Sequence, residues 1–203
     1  YKWNLTDDML QVSIPDIKDS TKHTKRTLLS AVASLYDPIG LLLPVAVLLR
    51  LLLQKIWNKK YNWDDTVDQD LVSEFRNIFQ EFPLLKEITF PRWIHSLSEN
   101  GIELLGFADA SKEAIACVIY ARVKRDNEYK TSIICAKSHL TPLHVKFSKG
   151  FNTGNFTTPK LELSALNLLS DLMEQVIKSL TRDIKITDCH AFTDSEVVLN
   201  WLH

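Results

Sequence analysis

Glycine and cysteine are both scarce in this chain, and the scarcity narrows its class. Five glycines and seven prolines among 203 residues are too few for a low-complexity segment, and no internal repeat is present. The three cysteines, Cys117, Cys135 and Cys189, are odd in number, have no C-x-x-C spacing and sit in apolar runs. That argues against a disulfide framework or a zinc site and predicts reduced core residues of an intracellular protein. No signal-peptide pattern opens the chain. The most apolar stretch, IGLLLPVAVLLRLLLQKIW, is interrupted by Pro44 and Arg50, so it predicts a buried helix and not a membrane span. Two catalytic signatures are missing as well. There is no Y-x-D-D, since Tyr61-Asn62-Trp63-Asp64-Asp65 has one residue too many, and no D-[ST]-G, since Asn152-Thr153-Gly154 lacks the acid. What is present is an ordinary globular composition, 45% hydrophobic and 24% charged with net charge −1, enough for one sizeable core or two small ones.

Hydrophobic periodicity divides the chain near Pro91. Before it, residues 24–36, 39–57 and 66–82 carry apolar positions at helical spacing, separated by Asp37-Pro38 and by the polar YNWDD turn. These predict an all-helical first part. After it come IELLGFADA, AIACVIYARV and YKTSIICAK, short runs rich in Ile, Val and Cys that predict three strands, the last two a hairpin through KRDNE. A polar segment, TPLHVKFSKGFNTGNFTT, leads to a long helix for which Thr158 is the expected N-cap and Pro159 the first helical residue. A fourth strand, IKITDCHAFTD, and a helix, SEVVLNWL, follow. The second part therefore reads β-β-β-α-β-α, an α/β layer fold.

Overall neutrality hides local charge. Between Tyr129 and Leu161 there is no acid, while Lys130, Lys137, His139, His144, Lys146, Lys149 and Lys160 fall within the stretch; a second acid-free stretch, Ser20 to Tyr36, holds Lys22, His23, Lys25 and Arg26. Solvated loops account for such stretches in isolation, but beside a carboxylate site they suit a nucleic-acid partner. Acid collects at Asp64, Asp65, Asp68, Asp70 and Glu74, as at a solvated helix start.

Three carboxylates stand apart. Stepping back four residues from the stripe Leu166, Leu169, Met173, Val176, Leu180 lands on Glu162, which places it along the buried face; its simpler reading is a first-turn acid complementing the helix dipole. Asp194 ends the fourth strand, where it would also serve as an N-cap. Asp109 ends the first strand, a position ill suited to Asp, with Ser111 available to start a turn. Together the three would converge at one edge of the sheet. Unpaired carboxylates so placed repel unless a cation is supplied, and all-oxygen ligands favour Mg²⁺ or Mn²⁺ over zinc.

In that order, GFADAS, CAKSHLTPL, TPKLELSAL and TDSEVVLNWL resemble the ribonuclease H domain of retroelement polyproteins, specifically the BEL/Pao class of LTR retrotransposons, a family sometimes labelled a peptidase. Upstream, TKRTLLSAVASLYDPIGLLLPVAVLLRLLLQKIW followed by WDD resembles the thumb and connection region that links the reverse transcriptase to the ribonuclease H. The resemblance implies a helical thumb/connection segment over residues 1–90. Over 91–203 it implies a ribonuclease H-like mixed sheet with flanking helices, incomplete at its C-terminus. By motif it makes Asp109, Glu162 and Asp194 the catalytic, metal-holding acids for two Mg²⁺ or Mn²⁺ ions. It further implies cleavage of the RNA strand of RNA–DNA hybrids, read by shape and 2′-hydroxyls. Candidate nucleic-acid contacts are Ser111, Lys137, Ser138, His139, Lys146, Lys149 and Ser195. The remaining reverse transcriptase domains of the polyprotein are the expected partners, in intracellular retrotransposon particles and without a membrane.

The segment from Leu143 to Thr157 is longer than the family's usual link, and a basic substrate flap is one role for it. Enzymes of this type use a fourth acid, whereas the chain stops nine residues after Asp194; the expectation is a fragment with little cleavage of its own. A non-cutting module that grips template and primer is the alternative. An integrase, which would place its glutamate last, disagrees with the order Asp, Glu, Asp, and an aspartic peptidase lacks its motif.

Overall fold

The computed structural model describes residues 1–14, 22–95, 101–125, 127–142 and 157–202. By its contacts the chain divides into two compact units, one of Tyr1–Pro38 and Leu42–Arg92, the other of Ile39–Leu41 and Trp93–His203. Among the described residues no helix is long and apolar enough to cross a membrane.

The first unit contains the helices α1 (Lys25–Ala33), α2 (Leu43–Asn58), α3 (Gln69–Gln80) and α4 (Phe82–Leu85). A capping box opens α1: the Thr24 hydroxyl accepts from the Thr27 amide at 3.2 Å and the Thr27 hydroxyl accepts from the Thr24 amide at 2.9 Å. Pro44 lies in the first turn of α2, where its missing N–H costs nothing. Leu49, Leu52 and Ile56, spaced by three and four, are fully buried from that helix against Leu28, Leu71, Val72, Phe75 and Phe82, each worth roughly 2 kcal/mol of burial. The helix starts four residues later than its apolar pattern predicts. Gly40 has φ +78°, and Ile39 turns aside so that its carbonyl accepts from the Ala136 amide at 2.9 Å.

The first unit is not all-helical as the periodicity predicts. A small antiparallel sheet joins β1 (Lys2–Asn4), β2 (Met9–Gln11) and β3 (Thr89–Pro91) in the order β1-β2-β3. Strands of three residues are too short to show alternation, and β3 reaches its neighbour across almost the whole unit. The Arg92 guanidinium binds the Asp8 carboxylate at 2.6 and 3.0 Å, holding the β1–β2 turn to the end of β3. The acid cluster is answered in part by the acid-free stretch and in part by lysines at the end of α2. Arg26 grips Asp64 through two hydrogen bonds of 2.9 and 3.1 Å, Lys59 reaches Asp68 and Lys55 reaches Glu74, each at 2.6 Å. Lys25 lies over the Trp57 and Trp63 rings, 4.2 and 5.2 Å from their centroids.

In the second unit β4 (Ile102–Ala110), β5 (Ala114–Arg125), β6 (Glu128–Leu140) and β7 (Ile186–Phe192) form one mixed sheet in the order β6-β5-β4-β7. The β4–β5 and β5–β6 pairs are antiparallel; β4 and β7 are parallel. Helix α5 (Thr158–Leu180) packs across β4 and β5, and α6 (Glu196–Leu202) follows β7. This is the mixed α/β architecture that the sequence predicts, in the predicted element order. The N-cap of α5 is Thr157, one residue before the expected one, so Pro159 is its second helical residue. Leu104, Ala108, Cys117, Ile119, Ala121 and Val123 bury against Ala165, Leu169, Met173 and Val176 of α5. Gly106 is where helix and strand come closest: a Cβ there would lie 2.6 Å from Leu169 Cδ1 and 2.9 Å from Met173 Sδ.

Of the cysteines, Cys117 is buried and burial pushes its thiol up to about 11. Cys135 is half-buried, and Cys189, on edge strand β7, is exposed and not a core residue as expected.

Candidate catalytic site

Side-chain alternation fixes where Asp109 points. Ile102, Leu104, Gly106 and Ala108 of β4 face α5, so Phe107 and Asp109 point to the opposite face of the sheet, and both are exposed. Phe107 is registered with Phe192 of β7, and the two rings stack with centroids 4.9 Å apart and planes 16° apart. Asp109 lies two residues beyond this pair near the carboxyl end of β4, and Asp194 two residues beyond it, just past the carboxyl end of the parallel neighbour β7.

Glu162 arrives from the helix. From Leu169, which sits over Gly106, Glu162 is two turns back, roughly 10 Å along the axis. Asp109 is three residues beyond Gly106, also roughly 10 Å. That the two steps run toward the same end follows from a hydrogen bond: the Ser195 hydroxyl, just after Asp194, donates to Glu162 Oε2.

The simpler readings of these acids meet the structure as follows. The first turn of α5 holds no acid, so Glu162 lies beyond the reach of a dipole contact there. The N-cap function before α6 belongs to Ser195, whose Oγ accepts from the Val198 amide at 3.3 Å; Asp194 does not supply it. Asp109 Oδ1 accepts from its own neighbour's amide, Ala110 N, at 2.6 Å. Among the described residues none of the three forms an ion pair.

The candidate nucleic-acid contacts spread differently. Ser111 builds the β4–β5 turn: its Oγ accepts from the Glu113 and Ala114 amides, both at 3.1 Å, while its amide donates to the Ala114 carbonyl at 2.8 Å. Register puts Asp109 opposite Ala116 and Ala116 opposite Ser138, a row across the same face, although Ser138 is buried. Lys137 is half-buried and His139 exposed, one position either side of that row. Lys146 and Lys149, with residues 143–156 of the long link, lie outside the described residues. Ser195 is 6% exposed and faces Glu162. Sequence reasoning overlooked its double engagement, because Thr193, Asp194 and Ser195 are all capping residue types in one run.

All-oxygen donors with no thiol among them fit a hard divalent cation in chemical type. Among the described residues, though, no three His, Cys, Asp or Glu side chains are gathered to hold a metal ion.

No curated protein matches the chain. A solved structure, that of a foamy viral protease–reverse transcriptase (dRH) in complex with double-stranded DNA, aligns with 91% of this chain at 13% identity and a TM-score of 0.43. The chain spans 28% of that protein's length. The model of the Pao retrotransposon-like RNaseH-like domain matches residues 24–195, most of both units, and so the chain belongs to the Pao retrotransposon-like RNaseH-like domain family.

Proposed function

We propose that this chain carries the RNA-cleaving centre of a retrotransposon replication enzyme, a metal-dependent hydrolase of the RNA strand in RNA–DNA hybrids. Asp109, Glu162 and Asp194 are its metal-holding acids. One observation carries the reading: three acids from two strand ends and one helix come to the same end of the sheet, and among the described residues none has a cationic partner. Such acids repel one another, and a bound cation relieves that cost.

Mg²⁺ or Mn²⁺, when bound, supplies Lewis-acid stabilisation of the scissile phosphate and a more acidic water. The protein's part is to hold Asp109 and Asp194 on adjacent rigid strands and to aim Glu162 from α5. The exposed pair Asp109–Ala116 suits an extended backbone, since Ala116 carries only a methyl. Lys146 and Lys149 are the proposed phosphate contacts, since Lys137 and His139 alternate to the face of β6 opposite that pair, and further domains of the parent polyprotein are the proposed partners.

The test is a labelled RNA–DNA hybrid incubated over a range of Mg²⁺ and Mn²⁺ concentrations with the chain and with a version extended along its parent reading frame. Metal-dependent cutting of the RNA strand, lost in Asp109→Asn, supports the reading. A folded extended protein that stays inert, or an Asp109→Asn variant that still cuts, overturns it. The non-cutting, hybrid-gripping alternative is favoured by one observation, the lack of a gathered three-ligand cluster among the described residues. It expects hybrid binding that falls with salt and no cutting in any metal.

A further inference from the structure

Ser195 has the chemistry of a joint. A serine hydroxyl has one proton to give and two lone pairs to receive with. Here the proton goes to Glu162 Oε2, and one lone pair takes the Val198 amide at 3.3 Å. The backbone is engaged too: its amide donates to Thr193 Oγ1 at 3.3 Å and its carbonyl accepts from the Leu199 amide at 3.0 Å. Only 6% of the residue is exposed. No donor remains for a nucleic acid, and the group is shielded from one.

Glu162 has a flexible side chain reaching toward the strand ends from a helix, the arrangement most easily misaimed. It is half-buried, and Oε1 has no hydrogen-bond partner among the described residues. With Oε2 held by Ser195, Oε1 is the oxygen left to turn outward. Because the same hydroxyl caps α6 and directly follows Asp194, the aim of Glu162 is tied to the position of the strand-end acid.

We propose that Ser195 is a positioning residue: its hydroxyl sets the orientation of Glu162 relative to Asp194 for a divalent cation, and it does not contact the nucleic acid. This rests on the reading of Asp109, Glu162 and Asp194 as cation-holding acids. Partners that orient metal ligands from behind are generally worth tenfold to a hundredfold in affinity, which sets the size of the expected effect.

The experiment is a Mn²⁺ titration of the whole chain by calorimetry, with helix content followed by circular dichroism. Ser195→Gly removes the hydroxyl yet is tolerated at an N-cap nearly as well as serine. Ser195→Cys keeps the size with a poor donor, and Ser195→Thr keeps both hydrogen bonds. The expected result is about tenfold weaker Mn²⁺ binding in Ser195→Gly, a smaller loss in Ser195→Cys, and near-complete rescue in Ser195→Thr, all at unchanged helix content. If the glycine variant melts α6, the cysteine variant decides. Wild-type affinity in Gly and Cys variants, with Glu162→Gln still weakened, overturns the positioning role and leaves the site intact. Indifference of Mn²⁺ binding to both Asp109→Asn and Glu162→Gln overturns the site reading itself. In an extended chain that cuts, a raised KM for the hybrid in Ser195→Gly at saturating Mn²⁺ makes the serine a substrate contact and also overturns the proposal.

Discussion

In the first unit Asp8, Asp64 and Asp68 each rest against a guanidinium or an ammonium. In the second, Asp109 and Asp194 are also exposed aspartates and have no such neighbour among the described residues. Cations are not lacking there. Arg122 pairs with Glu103 directly across β4 and β5, and Lys178 pairs with Glu174 one turn away on α5. The difference therefore concerns placement. Exposed ion pairs contribute little to stability, so the paired acids of the first unit are surface furniture, whereas Asp109 and Asp194, exposed and without a counter-charge among the described residues, are open to something from outside the chain.

The largest effect that would break this comparison is read on the acids themselves. Asp109→Asn should leave the thermal midpoint unchanged, because the exposed carboxylate has no ion-pair partner among the described residues to lose. In an extended chain that cuts, the same change should lower hybrid cleavage by on the order of a thousandfold, the rate equivalent of several kcal/mol of lost charge stabilisation. Asp64→Asn, the matched change in the first unit, should leave cleavage untouched. A marked fall in stability with Asp109→Asn would mean that the acid is structural and that the contrast between the units is false.

Packing gives the next effect. Gly106→Ala places a methyl 2.6 Å from Leu169 Cδ1 and 2.9 Å from Met173 Sδ. Met173 can yield, so the cost should sit at the low end of overpacking, about 1–2 kcal/mol. Hydrogen exchange at β4 and β5 amides checks it, and slower exchange than wild type would contradict the close packing. In the first unit Thr24→Ala removes one side of the capping box and should cost about 1 kcal/mol, seen as faster exchange in the first turn of α1. Thr24→Ser should restore it.

These sites also mark how far the sequence could be read. The strands β4, β5, β6 and β7 and helix α5 were legible because each is long enough to show its period, with Leu169, Met173 and Val176 spaced to face one side. The small sheet of the first unit was not, since β1, β2 and β3 have three residues each and β2 meets β3 some eighty residues away. The start of α2 was misjudged because Ile39 and Leu41 continue its apolar run, yet Gly40 lies against β6, where a Cβ would come 2.0 Å from the Ala136 carbonyl oxygen. The acids Asp109, Glu162 and Asp194 were singled out from their positions at element ends and by motif. That Ser195, and not Asp194, caps α6 was hidden, because Thr193, Asp194 and Ser195 are all capping residue types in one run.

The smallest expected effect separates the two units by acid titration. Hydrogen bonds from Arg92, Arg26 and Lys59 hold the carboxyls of Asp8, Asp64 and Asp68, respectively, below the ordinary aspartate range. A carboxylate with a depressed folded pKa stabilises the fold above its unfolded value, about 3.9, and that contribution disappears as pH falls through the lower folded value. Acidification from about pH 4 downward should therefore release three ion pairs in the first unit. All three carboxylates are open to solvent, so the change in stability should be small, and it should shrink further in 1 M salt, where screening acts over only about 3 Å. Carboxyl-carbon chemical shifts read each aspartate separately, and Arg92→Gln should return Asp8 to the ordinary range while leaving Asp64 and Asp68 where they were. If Asp8 keeps its low value without the guanidinium, the pairing in the first unit is not what sets its acidity, and the comparison with the unpaired acids of the second loses its basis.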